Sequence, residues 1–230
     1  MSRLTLMLLR EPEVRYDGQL LTFPTRKALA LLIYLAMEGG MHSREKLTAL
    51  FWPESDMAHG RAVLRSTLGY LRSALREGTP TDSDNTPAQT SHLIVERDSL
   101  GFDFASDCEL DFAVLQTAWN LAQASARFTA SSMTRDKSHR HLLTQLERAV
   151  NLYRSDFLEG FFLRDAPGFD EWVSFQRATW NRRIRLVFDQ LSQLQAEGGE
   201  SRSAIETTTR WLTFDLLNED AYRRLMQLYY

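Results

Sequence analysis

Three short apolar stretches open the chain, Leu4–Leu9, Val14–Tyr16 and Leu20–Phe23, separated by Arg10–Glu13 and by Asp17-Gly18. Apolar runs bounded by turn residues predict strands, and Asp-Gly is a strong hairpin signal, so a small antiparallel sheet is expected. The pattern then changes period. Pro24-Thr25 precedes Arg26–Met37, where Ala28, Leu29, Leu31, Leu32, Ile33, Leu35 and Ala36 leave few polar positions before Gly39-Gly40. This predicts a helix buried on most sides with a glycine stop. A shorter helix follows, with Ser43 as N-cap, Glu45 in its first turn, Leu47, Leu50 and Phe51 as apolar positions, and Pro53 ending it just after Trp52. The loop Glu54–Asp56 leads into a longer helix expected from about Ala58 to Glu77, closed by Gly78. A short capped helix joined through a tight turn to a long one has helix-turn-helix spacing.

On the long helix, Leu64, Leu68, Leu71 and Leu75 are spaced 4, 3 and 4 and fall within one stripe that must pack on the core. Arg61, Arg65, Arg72 and Arg76, with Gly69 among them, form a second stripe beside it. Ala62, Ser66 and Ser73 continue the surface away from the core. From Met57 to Arg76 there is no acid, and His59 adds to the basic character. A basic face of small residues suits the major groove, because arginine bridges phosphates or guanine edges and serine reaches either. A helix of this kind standing alone would more simply be a solvated face; its place in a helix-turn-helix favours DNA. Thr25 and Arg26 are a smaller candidate: helix-start N–H groups and the Arg26-Lys27 charge attract phosphate. Equally, Thr25 caps its own helix and the cations are merely exposed.

Thr79–Ser91 is a low-complexity loop. Leu93–Glu96 and Phe102–Phe104 then flank Asp98-Ser99-Leu100-Gly101, a strand–turn–strand with glycine at the bend and Arg97 beside the turn. A hairpin directly after a helix-turn-helix is a wing, which closes a first domain, residues 1–106. Residues 107–230 read as helix throughout: Asp111–Ala126, a Ser/Thr-rich break in Ser125–Ser138, His139–Tyr153, and Asp170–Ala196 ended by Gly198-Gly199. Ser201–Phe214 follows, and a last helix is capped by Asn218-Glu219-Asp220. The rhythm of the last three is that of an α-solenoid with about 34 residues per unit. The end at Tyr229-Tyr230 in mid-helix is expected to belong to a longer natural protein. The fold class is therefore an α+β winged helix-turn-helix followed by an all-α, tetratricopeptide-like domain.

Composition narrows the function. With 230 residues, 43% hydrophobic and 25% charged, the chain has the apolar material for one or two globular domains. No apolar run approaches the roughly 20 residues of a membrane span, and the lone Cys108 fits a reducing compartment, so a cytoplasmic protein without membrane association is expected. The net charge of −3 argues against a wholly basic nucleic-acid coat. No phosphate-binding loop, dinucleotide fingerprint or nucleophile elbow occurs. Cys108 has no cysteine partner for zinc and lies among acids that disfavour a thiolate. His139-x-His141 lacks the i, i+4 spacing of a helical metal site, and Asp170-Glu171 are first-turn acids that favour the helix dipole. No enzyme, cofactor or metal is expected.

The stretches Ser43–Pro53 (SREKLTALFWP) and Gly60–Leu75 (GRAVLRSTLGYLRSAL) resemble the OmpR-like winged helix of the Streptomyces antibiotic regulatory protein family. Ala149–Gly160, Asp170–Val173 and Asn218–Met226 look like the bacterial transcriptional activator domain, in the family's order. The resemblance implies a transcription activator that binds direct repeats in double-stranded DNA near promoters and contacts RNA polymerase, with a homodimer on DNA as a further partner. It places Arg61, Arg65, Ser66 and Arg72 on the recognition helix and Arg97 in the wing. The chain departs at Tyr70, where many members carry a basic residue and where the ring stacks or contacts a phosphate instead, and at Gly69, which replaces a small polar residue. The rival class is a helical-repeat interaction scaffold with a winged helix that does not bind DNA, motivated by the acidic net charge and by Trp172, Phe175, Trp180, Phe188 and Trp211. Aromatics at such spacing are more often solenoid core than peptide pocket.

Overall fold

The computed structural model describes residues 3–75, 91–127 and 135–230. The chain forms two compact units that are not contiguous in sequence. The first comprises Met1–Leu6, Glu13–Glu109 and Gly160–Ser174; the second comprises Met7–Pro12, Leu110–Glu159 and Phe175–Tyr230. A division into residues 1–106 and 107–230 thus differs from the way contacts group the chain, because each unit borrows a short segment from the other's stretch.

The first unit contains β1 (Leu4–Met7), β2 (Glu13–Tyr16), β3 (Gln19–Leu20), α1 (Arg26–Glu38), β4 (Met41–Ser43), α2 (Arg44–Phe51), α3 (Met57–Ala74), β5 (Leu93–Val95), β6 (Ser99–Phe102) and β7 (Cys108–Leu110). One sheet runs β3-β2-β1-β7 and the other β4-β6-β5. In the first sheet Arg15 faces Leu20 and Tyr16 faces Gln19. Asp17 (φ 50°) and Gly18 (φ 77°) make the turn between them in the left-handed region, the backbone that a tight two-residue hairpin requires. β3 is shorter than the run Leu20–Phe23 led one to expect, and Cys108, in the stretch expected to be helical throughout, lies in a strand beside β1.

The three helices are built as their caps dictate. Thr25 Oγ1 accepts from Ala28 N–H at 3.1 Å, Ser43 Oγ from Lys46 N–H at 3.2 Å, and Asp56 Oδ1 from His59 N–H at 2.8 Å, each occupying a donor that the first helical turn leaves unmade. α1 buries Ala28 and every residue from Ala30 to Ala36. α3 ends at Ala74 with Leu75 as C-cap, ahead of the expected stop at Glu77-Gly78, which lies with Arg76 outside the described residues. Its stripe Leu64, Leu68, Leu71 and Leu75 is buried. Phe51 meets Tyr34 edge-on at 6.0 Å and Phe169 at 5.3 Å, so the borrowed segment completes this core.

The wing differs in detail from the pattern. The bend falls at Glu96–Asp98, not at Gly101. Gly101 lies in β6 opposite Met41 of β4 and Ile94 of β5. A Cβ there would stand 2.6 Å from the Gly40 carbonyl oxygen and 2.7 Å from Met41 Sδ. Glycine is needed for the close approach of β4, a third strand that period-2 patterning over three residues could not reveal. Phe104 lies beyond the strand and packs edge-on against Phe102 at 5.1 Å.

The second unit comprises α4 (Asp111–Arg127), α5 (Arg135–Leu152), α6 (Pro167–Glu197) from Phe175 onward, α7 (Ser201–Phe214) and α8 (Glu219–Tyr229). Of the expected Ser/Thr-rich break Ser125–Ser138, residues 128–134 lie outside the described residues, while 125–127 belong to α4 and 135–138 to α5, which starts four residues ahead of His139. α4 packs on α5 and α7 on α8, the paired-helix arrangement of a tetratricopeptide-like domain. α6 begins three residues ahead of Asp170, with Pro167 at a first-turn position that suits its missing N–H. Asn218 Oδ1 accepts from Ala221 N–H at 3.0 Å and caps α8. Phe188 stacks on Trp211 with ring planes 7° apart, and both are buried with Trp180. Of the five aromatics singled out above, these three are core. Phe175 is exposed, and Trp172, in the first unit, donates Nε1–H to Glu38 at 2.7 Å.

The apolar run after β1 leaves the sheet because Asp111 takes its donors: Oδ2 accepts from Leu8 N–H at 2.7 Å and Leu9 N–H at 2.8 Å. Burial pushes the Asp111 carboxyl up to about 6 against these bonds. Leu8 returns a carbonyl to Leu158 N–H at 2.9 Å. Leu158 holds φ 51°, a strained value for a branched side chain. The Arg177 guanidinium, donating to the Phe157 and Leu158 carbonyls, fixes that bend.

Candidate nucleic-acid interface

The site is the face of α3 turned away from the leucine stripe. Arg61, Ala62, Arg65, Ser66, Gly69, Tyr70 and Ser73 are all exposed. Their periodicity follows from the buried stripe: once Leu64, Leu68, Leu71 and Leu75 face the core, residues on the remaining arc must face outward. Ser66 Oγ donates to the Ala62 carbonyl at 3.2 Å, leaving its lone pairs outward. A Cβ on Gly69 would have nothing within 4 Å, so the hollow beside Arg65 and Arg72 serves no packing contact.

Two members of the arginine stripe are less free than the helix pattern alone suggests. Arg61 Nη2 lies 3.0 Å from Glu45 Oε1 of α2, with both side chains more than half exposed. The stretch Met57–Arg76 has no acid of its own, but the fold brings one in from the preceding helix. Arg72 is half-buried, and its Nε is shielded without a hydrogen-bond partner; it lies at the edge of the leucine stripe rather than fully on the outward face. Arg65 is exposed and takes part in none of the ion pairs among the described residues, which leaves it the most available cation of the helix.

The remaining candidates lie elsewhere on the first unit. Thr25 is exposed with its hydroxyl oxygen engaged as the α1 cap. Arg26 holds its guanidinium over the rings of Phe161 and Phe162, 4.6 and 5.4 Å from their centroids. Lys27 pairs with Asp165 at 2.7 Å, so it is not a free cation. Arg97 is exposed at the wing bend between Glu96 and Asp98, also exposed. The bend is held by Arg44, whose N–H donates to the Asp98 carbonyl and whose Nη2 donates to the Glu96 carbonyl, both at 2.9 Å. Asp165 and Arg44 were not singled out by sequence, and Glu45 was read there only as a first-turn acid of α2.

Burial pushes the Cys108 thiol up, with Asp107 and Asp103 adding to the rise against a Ser106 hydrogen bond. No group of three or more His, Cys, Asp or Glu is placed to hold a metal ion among the described residues. No described helix is long and apolar enough to cross a membrane.

Residues 120–230 match the family model of the bacterial transcriptional activator domain. No curated protein sequence matches the chain. Among solved structures, the chain is similar to Mycobacterium tuberculosis EmbR, solved in complex with a low-affinity phosphopeptide, with 16% identity and a TM-score of 0.69. That similarity covers 100% of this chain and 55% of EmbR, so the chain spans little more than half of that protein's length. At this identity the likeness speaks for the fold, and it extends over the winged-helix portion that the domain model does not reach. The chain thus joins a winged-helix fold to helices that match the bacterial transcriptional activator domain over residues 120–230.

Proposed function

We propose that the first unit reads double-stranded DNA through the outward face of α3, and that the chain acts in the cytoplasm as a sequence-specific transcription activator. The observation that carries this is the exposed arc Arg61–Tyr70, cationic, small and free of bulky aliphatic groups, presented by a capped helix-turn-helix with a wing. Arg65 and Ser66 read base edges. Arg61 does so once it leaves Glu45, and Tyr70 stacks or meets a phosphate. Arg72, Thr25, Arg26 and Arg97 serve the backbone, which supplies much of the affinity and its salt dependence. The family architecture supports direct-repeat sites near promoters, contact with RNA polymerase and assembly of two copies on DNA.

Selection from a pool of random duplexes, repeated with Arg65→Ala, tests this. A recurring motif should be enriched, with Arg65→Ala weakening its binding by about 1–3 kcal/mol, the worth of a bidentate base contact. Retained affinity and an unchanged motif in Arg65→Ala would remove that residue from readout. Absence of binding even at low salt would reject the DNA function and favour the interaction scaffold.

A further inference from the structure

Within the first unit, the start of α1, Trp52, the α3 face from His59 to Tyr70 and the segment Phe162–Asp165 line an open cavity of about 820 Å³. That volume lies in the range of small-molecule sites, which are apolar clefts with a few placed polar groups. The walls here answer that description: Trp52, Val63 and Phe162 supply apolar surface, and Ser66 and Tyr70 supply hydroxyls. The charge is one-sided. Lys27 and Asp165 neutralise one another at 2.7 Å. Arg26 and Arg164 remain, and neither pairs with a carboxylate among the described residues. Arg26 is moreover held in place by aromatic faces rather than by an acid, so its charge stays available.

We propose that this cavity binds an aromatic organic anion, its ring between Trp52 and Phe162 and its carboxylate, sulfonate or phosphate toward Arg26 and Arg164. Because Ser66 and Tyr70 line the cavity and also belong to the outward face of α3, bound ligand and bound DNA oppose one another. This second half rests on the DNA-reading function proposed above. Linkage makes the opposition reciprocal: the factor by which the ligand weakens DNA binding is the factor by which DNA weakens ligand binding.

The test titrates 8-anilino-1-naphthalenesulfonate into the full chain by fluorescence and calorimetry. The variants are Arg164→Glu, which reverses a wall charge at the surface, Val63→Trp, which places an indole in the cavity, and Tyr222→Lys/Met226→Lys, which changes the exposed apolar side of α8. One dye per chain should bind, at least tenfold more weakly in the first two variants and unchanged in the third. Equal binding in Arg164→Glu and the parent, or loss only in the α8 variant, overturns the site. Circular dichroism separates a misfolded Val63→Trp from an obstructed cavity, and Arg164→Glu stands as the independent arm. Inorganic phosphate at matched ionic strength should displace the dye no better than chloride does. Displacement by phosphate would reassign the cavity to the DNA backbone and overturn the aromatic ligand. If duplex DNA binds but saturating dye leaves its affinity unchanged, the opposition is refuted. If no DNA binds at all, the DNA function fails while the dye titration still decides the cavity.

Discussion

Gly69 separates two uses of the α3 face. A glycine inside a helix costs about 0.5–1 kcal/mol relative to alanine, because it surrenders more backbone freedom on folding. At Gly69 nothing in the fold requires that cost: a Cβ would have open space on all sides within 4 Å. Gly69→Ala should therefore stabilise the chain by about 0.5–1 kcal/mol. For a protein of this length the melting temperature should rise by about 1–4 °C, since 1 kcal/mol shifts it by roughly 2–4 °C. DNA affinity should move the other way. The added methyl protrudes between Arg65 and Arg72, and a duplex seated against that arc must give way to it. Overpacking of a closely fitted contact costs about 1–3 kcal/mol, or roughly 5- to 150-fold in Kd. Scanning calorimetry and fluorescence anisotropy on a selected duplex measure the two effects on one preparation. A raised melting temperature with unchanged affinity would show that DNA does not approach the helix at Gly69. A lowered melting temperature would refute the open environment itself.

Glu45→Gln should release Arg61 and tighten DNA binding. Two unit charges 3.0 Å apart interact by about 1.4 kcal/mol in water, so the gain is at most about tenfold at low salt and fades as salt rises; titration at several salt concentrations, repeated in Arg61→Ala, checks it. An undiminished gain in the Arg61→Ala background would show that Glu45 acts on DNA directly. Gly60→Ala should destabilise by about 1–3 kcal/mol in urea unfolding, because its Cβ would fall 2.3 Å from Thr48 Cγ2 at the α2–α3 crossing; neutrality would mean that the crossing relaxes freely. The Asp111 carboxyl has its folded pKa raised from 3.8 to about 6. The native state therefore binds the proton more tightly, and this stabilisation is full below about pH 4 and lost as pH rises through about 6. The whole contribution is about 3 kcal/mol at 1.36 kcal/mol per pH unit. Asp111→Asn should flatten that fall in urea unfolding between about pH 4 and 7; parallel curves for the two proteins would remove Asp111 as its cause.

Local chemistry and periodicity by themselves determined the elements of the helix-turn-helix. Ser43 and Thr25 are caps, Asp17-Gly18 is a hairpin turn, and the 4-3-4 leucine spacing orients α3, because each of these depends on interactions within one or two helical turns. The outward position of Arg61, Arg65, Ser66 and Tyr70 follows from that spacing alone. What only the tertiary structure decided lies between residues distant in the chain. Glu45 reaches Arg61, Asp165 takes Lys27 from 138 positions away, and Asp111 draws the N–H groups of Leu8 and Leu9 out of the first sheet. Gly101 looks like a bend in sequence and is in fact the space that β4 needs. Such facts have no local signal: a carboxylate or a missing Cβ carries no period, and its partner is set by how independently formed elements pack. The cavity beside α3 is the same kind of fact, built from four separate stretches, none of which shows a concave surface on its own.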